Sequence, residues 1–329
     1  QRQMCIRDRP GRRPGTWEGG RALTRMILKR LGQGLLVLLV LETVTFFLIR
    51  LLPGHPFMGE KKLPEHVLQQ LQASYGLDQA PLIQYGRYWW NMLVHGDLGP
   101  SLVKEGVSVA DMIGQSFPVS LQLGVIGMAI SILAGVPAGI VAALYKNRWM
   151  DWWVMLVSMA GICIPAFVVA PVLGVALGMH VPGLSVAGWD SPGCVVLPAL
   201  TLGLVNAAYL ARLTRGGMLE VLGQDFIRTA RAKGAGPFRT VWKHALRGGL
   251  IPALSYLGPA FAAMITGSFV VETCFHVPGM GQHFVNATTD RDYFLIQGLV
   301  LFYGILIVAA NLGVDLVQMA VNPRLRKES

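Results

Sequence analysis

A basic segment interrupted by glycines carries the densest set of side chains in this chain that could bind a partner. Its first half reads Gln224-Asp225-Phe226-Ile227-Arg228-Thr229-Ala230-Arg231-Ala232-Lys233-Gly234-Ala235-Gly236-Pro237. No charged residue occurs between Asp190 and Arg212 before it, or between Arg247 and Glu272 after it. Positively charged loops between long apolar segments stay on the cytoplasmic side of a membrane. The pattern therefore predicts a cytoplasmic loop that a partner binds.

The local sequence of this loop predicts two short helices joined at a glycine. Asp225 is a good N-cap residue, and the residues from Phe226 to Lys233 favour a helix. Gly234 can adopt the left-handed conformation that ends a helix, and Pro237 suits the start of the next one. The alternative is a solvated basic loop that faces anionic lipid.

The sequence contains no recognisable catalytic constellation. Paired carboxylates, a nucleophile with an evident base, and a glycine-rich phosphate loop followed by Lys-Ser/Thr are all missing. Carriers driven by protons or by voltage need acidic groups within the membrane. Only Glu42 lies well inside an apolar segment, and Asp315 lies close to the inner end of the last one. We therefore expect no catalytic residue and no cofactor, and an energy source that lies in a partner.

The cysteines and the loop histidines do not predict a metal site. The four cysteines, which have no metal-site spacing and are expected to pack as small apolar residues, are Cys5, Cys163, Cys194 and Cys274. His276 and His283 share one loop without an acidic or cysteine partner. We interpret them as polar loop residues.

The composition is that of a membrane protein. Of the 329 residues, 53% are hydrophobic and 14% are charged, whereas about 25% are charged in an ordinary soluble domain. A helix needs about 20 apolar residues to cross a bilayer, and six runs are long enough to cross once each. They are Leu31–Ile49, Met112–Tyr145, Trp152–Trp189, Ser191–Ala211, Gly248–Val271 and Tyr293–Val314. These runs exclude a soluble globular fold and predict six transmembrane helices.

The distribution of Lys and Arg predicts that both termini are cytoplasmic. Lys29 and Arg30 precede the first span, Lys146 and Arg148 follow the second, and the long basic loop follows the fourth. All of these positions, and the basic residues at the end of the chain, fall on one side if the chain crosses six times. The predicted domains are a first transmembrane helix at 26–52, an external loop at 53–107, and a five-helix core at 108–326 with the basic loop near 214–249.

The net charge of +10 comes partly from the first 25 residues, which contain seven arginines. This segment has no hydrophobic periodicity and no signal-peptide pattern. We predict that residues 1–25 are a non-native or disordered basic tail, that the native protein starts at Met26, and that nucleic acid is not a partner.

The external loop contains two apolar patterns at helical spacing. The first begins at Pro64 and includes Leu63, Val67, Leu68 and Leu71. The second, which is rich in aromatic residues and suits a membrane interface, contains Tyr85, Tyr88, Trp89 and Met92. This segment is predicted either to shape the mouth of a pathway or to fill space between helices.

The spans are rich in small residues and in proline. Gly124, Gly135 and Gly139 in the second span and Gly258 in the fifth allow close helix contact. Six prolines lie within the spans or at their ends, where they can kink helices: Pro118, Pro137, Pro165, Pro171, Pro198 and Pro259. The pattern fits either ordinary tight packing or a bundle that rearranges during transport.

Several motifs together resemble the permease subunits of ATP-binding cassette importers, in particular the peptide/nickel group. The central one is Thr229-Ala230-Arg231-Ala232-Lys233-Gly234, followed by His244-Ala245-Leu246-Arg247 and Ile251-Pro252. Others, spread over residues 26–326, are Arg50-Leu51-Leu52-Pro53-Gly54-His55-Pro56, Gly96-Asp97-Leu98-Gly99, Phe117-Pro118-Val119-Ser120, Val271-Glu272-Thr273, Pro278-Gly279-Met280-Gly281 and Arg291-Asp292-Tyr293. The segment from Pro56 to Pro64 is most similar to the B-type subunit of oligopeptide permeases.

This resemblance implies an all-α membrane protein with the six-helix fold of type I importers. It implies four kinds of partner: a homologous C-type permease, two cytoplasmic ATP-binding subunits, a periplasmic or lipid-anchored peptide-binding protein, and membrane lipid. It also implies that the chain itself is not an enzyme. The residues that it assigns to ATPase coupling are Asp225, Thr229, Ala230, Arg231, Ala232, Lys233 and Gly234. Glu42 and the Ala235-Gly236-Pro237 continuation depart from the family pattern.

The function implied is oligopeptide uptake across the bacterial inner membrane. Dipeptides, nickel, glutathione and other small solutes remain open as substrates. A non-transporting membrane scaffold that keeps the basic loop for lipid or partner binding is the alternative from a different functional class.

Overall fold

The computed structural model describes residues 16–51, 54, 56–57, 64–266 and 268–321, and within these ranges the chain is almost entirely helical. The first helices are α1 (Thr16–Leu51), α2 (Glu65–Ser74), α3 (Pro81–Trp90), α4 (Val109–Leu144), α5 (Trp149–Cys163), α6 (Ala166–Leu173) and α7 (Pro192–Leu222). They are followed by α8 (Asp225–Ala232), α9 (Pro237–Arg239), α10 (Leu246–Gly249), α11 (Ile251–Thr266), α12 (Phe269–Cys274), α13 (Met280–Asp290) and α14 (Tyr293–Val321). The described residues contain no strand, only an isolated bridge between Pro100 and Ser108.

The long apolar helices agree with the predicted all-α membrane fold. Among the described residues, five segments are long and apolar enough to cross a membrane, and a bent pair of helices makes a possible sixth. The five are Ile27–Leu51, Val109–Leu144, Pro192–Leu222, Ile251–Cys274 and Tyr293–Val317.

The third predicted span is a bent pair and not a straight helix. α5 and the segment Ala166–Gly178 meet at an angle of 106°. Pro165 follows the break and forms the N-cap of α6, and the residue before a proline is pushed out of the helical conformation. The other five prolines lie inside helices that continue past them.

Helices α4 and α7 pack with their backbones in close contact. A Cβ atom added to Gly135 would lie 2.6 Å from the carbonyl oxygen of Ala207, and one added to Gly139 would lie 2.6 Å from the Cβ of Thr214. Ser131 Oγ donates a hydrogen bond to its own helix and a second one, 3.0 Å long, to the carbonyl oxygen of Gly203. The small residues therefore have a packing role along this seam.

A buried carboxylate joins three of the sequence motifs at the end of the bundle that carries α12 and α13. Glu272 is fully buried, and it accepts hydrogen bonds from Ser120 Oγ (2.9 Å), Ser268 Oγ (2.5 Å) and the amide of Gly281 (2.8 Å). Ser120 Oγ in turn accepts from the amide of Met280. The two motifs around Ser120 and Gly281, together with Ser268, thus supply the hydrogen-bond partners that the buried carboxylate of the third motif requires.

A second buried carboxylate ties the segment before α4 to the start of α14. Asp292 Oδ2 accepts from Ser101 Oγ (2.5 Å) and from the amide of Leu102 (3.1 Å), and Oδ1 accepts from the amide of Leu295 (3.2 Å). The segment that links α3 to α4 is therefore fixed at the same end of the bundle.

The segment between the first two spans forms a helical cap. α2 begins at Glu65, with Pro64 as the N-cap residue and not as the first helical residue. Val67, Leu68 and Leu71 are half-buried, as their spacing predicts. Leu63 lies outside the described residues.

Glu42 packs between the first and last spans. Glu42 of α1 and Gln297 of α14 are both fully buried, and Gln297 Nε2 donates a hydrogen bond of 3.3 Å to Glu42 Oε1. The hydroxyl of buried Tyr88, from the cap helix α3, lies beside the same carboxyl group. Glu42 therefore links two spans and the cap.

The basic segments cluster at the opposite end of the bundle from the cap. Arg30 Nε lies 2.9 Å from Asp315 Oδ2, which joins the start of the span Ile27–Leu51 to the last turns of α14. Arg215 forms a bidentate pair with Asp151, with N–O distances of 2.5 and 2.7 Å. This pairing joins the start of α5 to α7, and it places the loop around Asn147 beside the end of α7.

The boundary predicted at residue 25 does not coincide with the start of a helix. α1 begins at Thr16, so residues 16–25 continue the first helix, and the assignment of residues 1–25 as a non-native or disordered tail stays a prediction. The preceding residues of the predicted tail lie outside the described residues.

Replacing Gln297 with Leu should lower the thermal unfolding midpoint of the purified chain in detergent. The substitution removes the amide that donates to Glu42 Oε1, and a buried polar atom left unpaired costs about 1–3 kcal/mol. Gln122, which is exposed on α4, provides the control Gln122→Leu, for which we expect little change. The double variant Glu42→Leu/Gln297→Leu should recover most of the loss, because both partners are then apolar. A double variant less stable than Gln297→Leu would contradict this account.

Candidate functional site

The basic loop folds as a short helix followed by a second helical segment. α8 begins at Asp225, and the N-cap residue is Gln224, whose side chain forms no capping hydrogen bond. The prediction that Asp225 is the N-cap was therefore wrong by one residue. The Asp225 carboxylate lies 3.7 Å from Arg228 Nη1. Its negative charge in the first turn of α8 stabilises the helix through the macrodipole.

The glycine at the end of α8 has the conformation that the sequence predicts. Gly234 has φ +84°, a value in the left-handed region that glycine adopts without a steric penalty. Its amide donates to the carbonyl oxygen of Arg231 (2.9 Å), and the amide of Ala235 donates to that of Ala230 (3.1 Å). This pair of bonds is a Schellman motif, and it turns the chain sharply out of the helix.

The second segment contains a π-helical turn. α9 covers Pro237–Arg239, the π turn covers Thr240–Ala245, and α10 continues to Gly249. Thr240 Oγ1 donates to the carbonyl oxygens of Gly236 (3.0 Å) and Ala235 (3.3 Å), which fixes the start of the turn. Short π segments are often found at functional sites.

One buried side chain anchors α8 to the rest of the protein. Ile227 is fully buried in an apolar cluster with residues from the ends of two spans and from the π turn. The cluster consists of Ala143, Met218, Val221, Ile227, Val241 and Ala245. α8 is therefore held by α4, α7 and the π turn.

The segment after the π turn packs directly on α7. A Cβ atom added to Gly249 would lie 3.1 Å from Met218 Cα, and one added to Gly217 would lie 3.1 Å from the ring of Pro252. The loop therefore packs against the spans both before its π turn, at Ile227, and after it, at Gly249 and Pro252.

The free face of the loop is basic and aromatic. Phe238 and Trp242 are 75% and 58% exposed, and their ring centroids are 5.7 Å apart. Phe226 is 48% exposed. Exposed cationic residues on this face are Arg228, Arg231, Lys233, Arg239 and Lys243. Exposed aromatic groups combined with arginine are typical of protein interfaces.

The predicted site residues are contiguous on α8 and its end. Asp225, Thr229, Arg231, Ala232, Lys233 and Gly234 are exposed, and Ala230 is half-buried. Sequence reasoning did not identify the exposed pair Phe238 and Trp242 or the anchor Ile227. These three side chains are apolar in an otherwise polar loop, and this contrast could have indicated a contact with the bundle or with a partner.

The described residues contain no group of three or more metal-ligating side chains.

The loop histidine and the cysteines that the sequence singles out differ in burial. His283 is half-buried on α13, and burial together with the nearby Lys104 lowers the pKa of its imidazole. Cys194 is buried, as a packing role predicts, whereas Cys163 and Cys274 are exposed on the isolated chain.

Two family descriptions match this chain. "Binding-protein-dependent transport system inner membrane component" matches residues 135–327, and the corresponding N-terminal family matches residues 23–126.

Characterised relatives match over most of the chain. The oligopeptide transport system permease protein OppB of Salmonella typhimurium is 42% identical over 306 residues, which are 92% of this chain and all of that protein. The dipeptide transport system permease protein DppB of Bacillus subtilis is 39% identical over 304 residues, which are 92% of this chain and 98% of that protein.

The fold resembles that of solved importers. A chain of the inward-facing MetNI methionine ABC transporter superposes with a TM-score of 0.54 at 17% identity, covering 65% of this chain and 97% of that chain. A chain of an amino acid ABC transporter superposes with a TM-score of 0.51 at 15% identity, covering 64% of this chain and 94% of that chain. These likenesses show the importer permease fold.

Replacing Ile227 with Ala should loosen α8 without affecting the spans. Removing a buried isoleucine side chain costs about 2–5 kcal/mol, and α8 has few other buried contacts. Hydrogen–deuterium exchange should therefore accelerate across residues 225–245 and stay unchanged in α4 and α7. The neighbouring variant Phe226→Ala, which removes an exposed side chain, is the control and should exchange as the parent does. Equal exchange in the two variants would mean that Ile227 is not the anchor.

Proposed function

The chain belongs to the family of binding-protein-dependent transport system inner membrane components, and on that premise we propose that it is the permease subunit of an ATP-driven oligopeptide importer. The observation that carries this proposal is the 42% identity to OppB over the whole of that protein. The relatives are transport permeases, and the fold is that of importer permeases. The dipeptide permease DppB is nearly as similar, so the length of the transported peptide is the element of this proposal that the experiment must decide.

The proposed assembly contains a homologous C-type permease, two cytoplasmic ATP-binding subunits and an external peptide-binding protein. Both termini and the loop at 214–249 are cytoplasmic in this proposal, and the cap at 53–107 is external. The position of the basic segments at one end of the bundle supports this orientation, because positive loops remain on the cytoplasmic side. Peptide passes along the interface between the two permeases.

The ATPase-coupling site is α8 with its glycine end, residues Asp225 and Thr229 to Gly234. The free face of this loop supports the proposal. Its cationic side chains suit an acidic groove on a partner, and Phe238 and Trp242 supply an apolar contact of the kind that dominates interface energetics.

The anchoring of the loop explains how a movement of the partner reaches the spans. Ile227 contacts a cluster that contains Ala143 at the end of α4 and Met218 near the end of α7. Because packed interiors have low compressibility, a displacement of α8 shifts these two helix ends instead of being absorbed in the loop.

The function can be tested by uptake into cells. Cells that lack their own peptide importers and express this chain together with its partner genes should import labelled oligopeptides, and a deletion of this chain should abolish the uptake. Dipeptides, nickel and glutathione are tested in the same cells. Uptake of nickel or glutathione without any peptide would overturn the proposed substrate, and normal peptide uptake in the deletion strain would overturn the permease assignment.

The coupling role predicts that Gly234→Val abolishes peptide uptake while the chain still accumulates in the membrane. No heavy atom lies within 4 Å of a Cβ added at Gly234, so the effect arises from the backbone. A β-branched residue at this φ costs about 1–3 kcal/mol. The strain changes the direction in which the segment from residue 234 to Pro237 leaves α8. We expect loss of ATPase co-purification together with loss of uptake.

Gly236→Val is the matched control for this variant. Gly236 is two residues away, also has open space around its Cβ position, and has φ −63° and ψ 164°, a conformation that valine adopts readily before proline. It should therefore retain uptake. If Gly234→Val still recruits the ATPases and imports peptide at the parental rate, the coupling role belongs to the charges of the loop.

A further inference from the structure

An exposed apolar face runs along α3 and the π-helical turn that follows it, Asn91–His95. Its members, with their exposed fractions, are Leu82 (74%), Ile83 (57%), Trp90 (63%), Leu93 (73%) and Val94 (55%). We call this set the α3 apolar face. At helical spacing it spans an arc of about 120°, the width of a face that is normally buried. Gly86 is the other residue within this arc, and exposed Arg87 lies at its edge.

The opposite side of α3 packs on α1. Tyr85 Oη and Thr43 Oγ1 are 2.7 Å apart, and the Tyr85 ring lies 5.1 Å from that of Phe46. Arg50 Nε donates a hydrogen bond of 3.0 Å to Gln84 Oε1. The aromatic stripe that the sequence places at the membrane interface therefore contacts protein, and it is the reverse side of the helix that is free.

These contacts set the depth of α3. All of the contacted α1 residues lie within the candidate span Ile27–Leu51. Glu42 of α1 lies at the level of Tyr88 of α3, and Arg50 of α1 lies at the level of Gln84 of α3. α3 therefore runs beside the half of α1 that is nearer the cap. At that depth there is no water to solvate a free helix face.

The stretch of α1 that α3 packs on also carries exposed apolar side chains. Val44 and Leu48, on the same stretch of α1, are 56% and 59% exposed. After the π turn, Gly96 adopts φ +65°, and the amide of Asp97 donates to the carbonyl oxygen of Asn91. The chain thus turns back after the last apolar residue, and Asp97 is the first exposed acidic residue that follows.

We propose that α3 and its π turn form a lipid-embedded half-helix in the membrane leaflet on the side of the cap. Leu82, Leu93 and Val94 contact acyl chains, and the indole of Trp90 lies within the same leaflet. Arg87, at the edge of the face, points away from it, because its guanidinium lies against Gly76 at the end of α2.

Lipid is the occupant, and not a second protein, for two reasons. The arc contains no charged side chain, and the one hydrogen-bond donor among its side chains is the Trp90 indole, whereas protein interfaces pair polar groups at about one hydrogen bond per 100–200 Å². The stretch of α1 at the same depth also exposes apolar side chains, those of Val44 and Leu48, as a membrane-spanning helix does where it contacts lipid. The inference does not depend on the substrate or on the ATPase partners, only on α1 spanning the membrane.

The test places spin labels on single cysteines in the full chain, with the native cysteines replaced by alanine, in nanodiscs of phosphatidylethanolamine and phosphatidylglycerol. Labels at Leu82 and Leu93 are compared with one at Val44 on α1 and one at Gln70, which is exposed on α2. Relaxation by oxygen reports lipid contact, and relaxation by a soluble nickel chelate reports water contact. Measurements are made with the chain alone and in the assembled transporter.

We expect the labels at Leu82 and Leu93 to behave like the one at Val44, with strong relaxation by oxygen and loss of relaxation by nickel, in both preparations. Relaxation by nickel at the level of Gln70 would overturn the proposal, because the face would then be in water. Protection from both reagents in the assembled transporter alone would also overturn it, because the face would then contact a partner subunit. If a labelled variant fails to accumulate, a benzophenone side chain at Trp90 decides the same question, since it should crosslink to phospholipid and not to protein.

Discussion

The contact between the backbones of α4 and α7 is the constraint on which the rest of the structure depends. Lipid supplies no hydrophobic driving force for helix association, so transmembrane helices hold together through close packing and hydrogen bonds. Gly135 and Gly139 leave no room for a side chain against α7, and Ser131 bonds to the carbonyl oxygen of Gly203 across the seam. The basic loop leaves the end of α7 and docks beside the end of α4, so the position of its basic and aromatic face follows from this seam.

The two ends of the bundle are stabilised by different physics. At the cap end, buried carboxylates organise loops that would otherwise leave amides unsatisfied: Glu272 gathers α4, α12 and α13, and Asp292 holds the segment around Ser101. At the opposite end the ion pair of Arg215 with the buried Asp151 joins α5 to α7, but the docking contact of α8 itself is apolar and rests on Ile227. Buried charge networks tolerate little displacement because each partner must remain in place, whereas an apolar contact has no directional requirement. This difference favours a rigid cap end and, at the opposite end, a loop that shifts together with the helix ends packed on it.

The sequence predicts the spans well because a charge within lipid is costly, and gaps between charges therefore mark the segments that cross. It predicts the glycine end of α8 for a similarly direct reason, since few residues other than glycine adopt the φ of Gly234 without strain. The 106° break before α6 is harder to predict, because Pro118, Pro137 and Pro198 lie in helices that continue. Whether a proline breaks a helix depends on how its neighbours satisfy the freed carbonyl groups, and a single chain does not reveal this.

The same limit explains why the sequence did not show which side of α3 meets the protein, and why it missed Ile227. Periodicity identifies a helix with two distinct faces, but when both faces carry apolar residues it does not say which of them meets the protein. In α3 the polar atoms decide: Tyr85 and Gln84 pair with Thr43 and Arg50 on α1, and those bonds would be lost if the helix rotated to bury Leu82 and Leu93. In the basic loop the charges occupy the free face, and Ile227 is the apolar residue of α8 left to face the bundle. The hydrogen-bonding and charged groups thus set the rotation of both helices, and that rotation determines which apolar residues are buried.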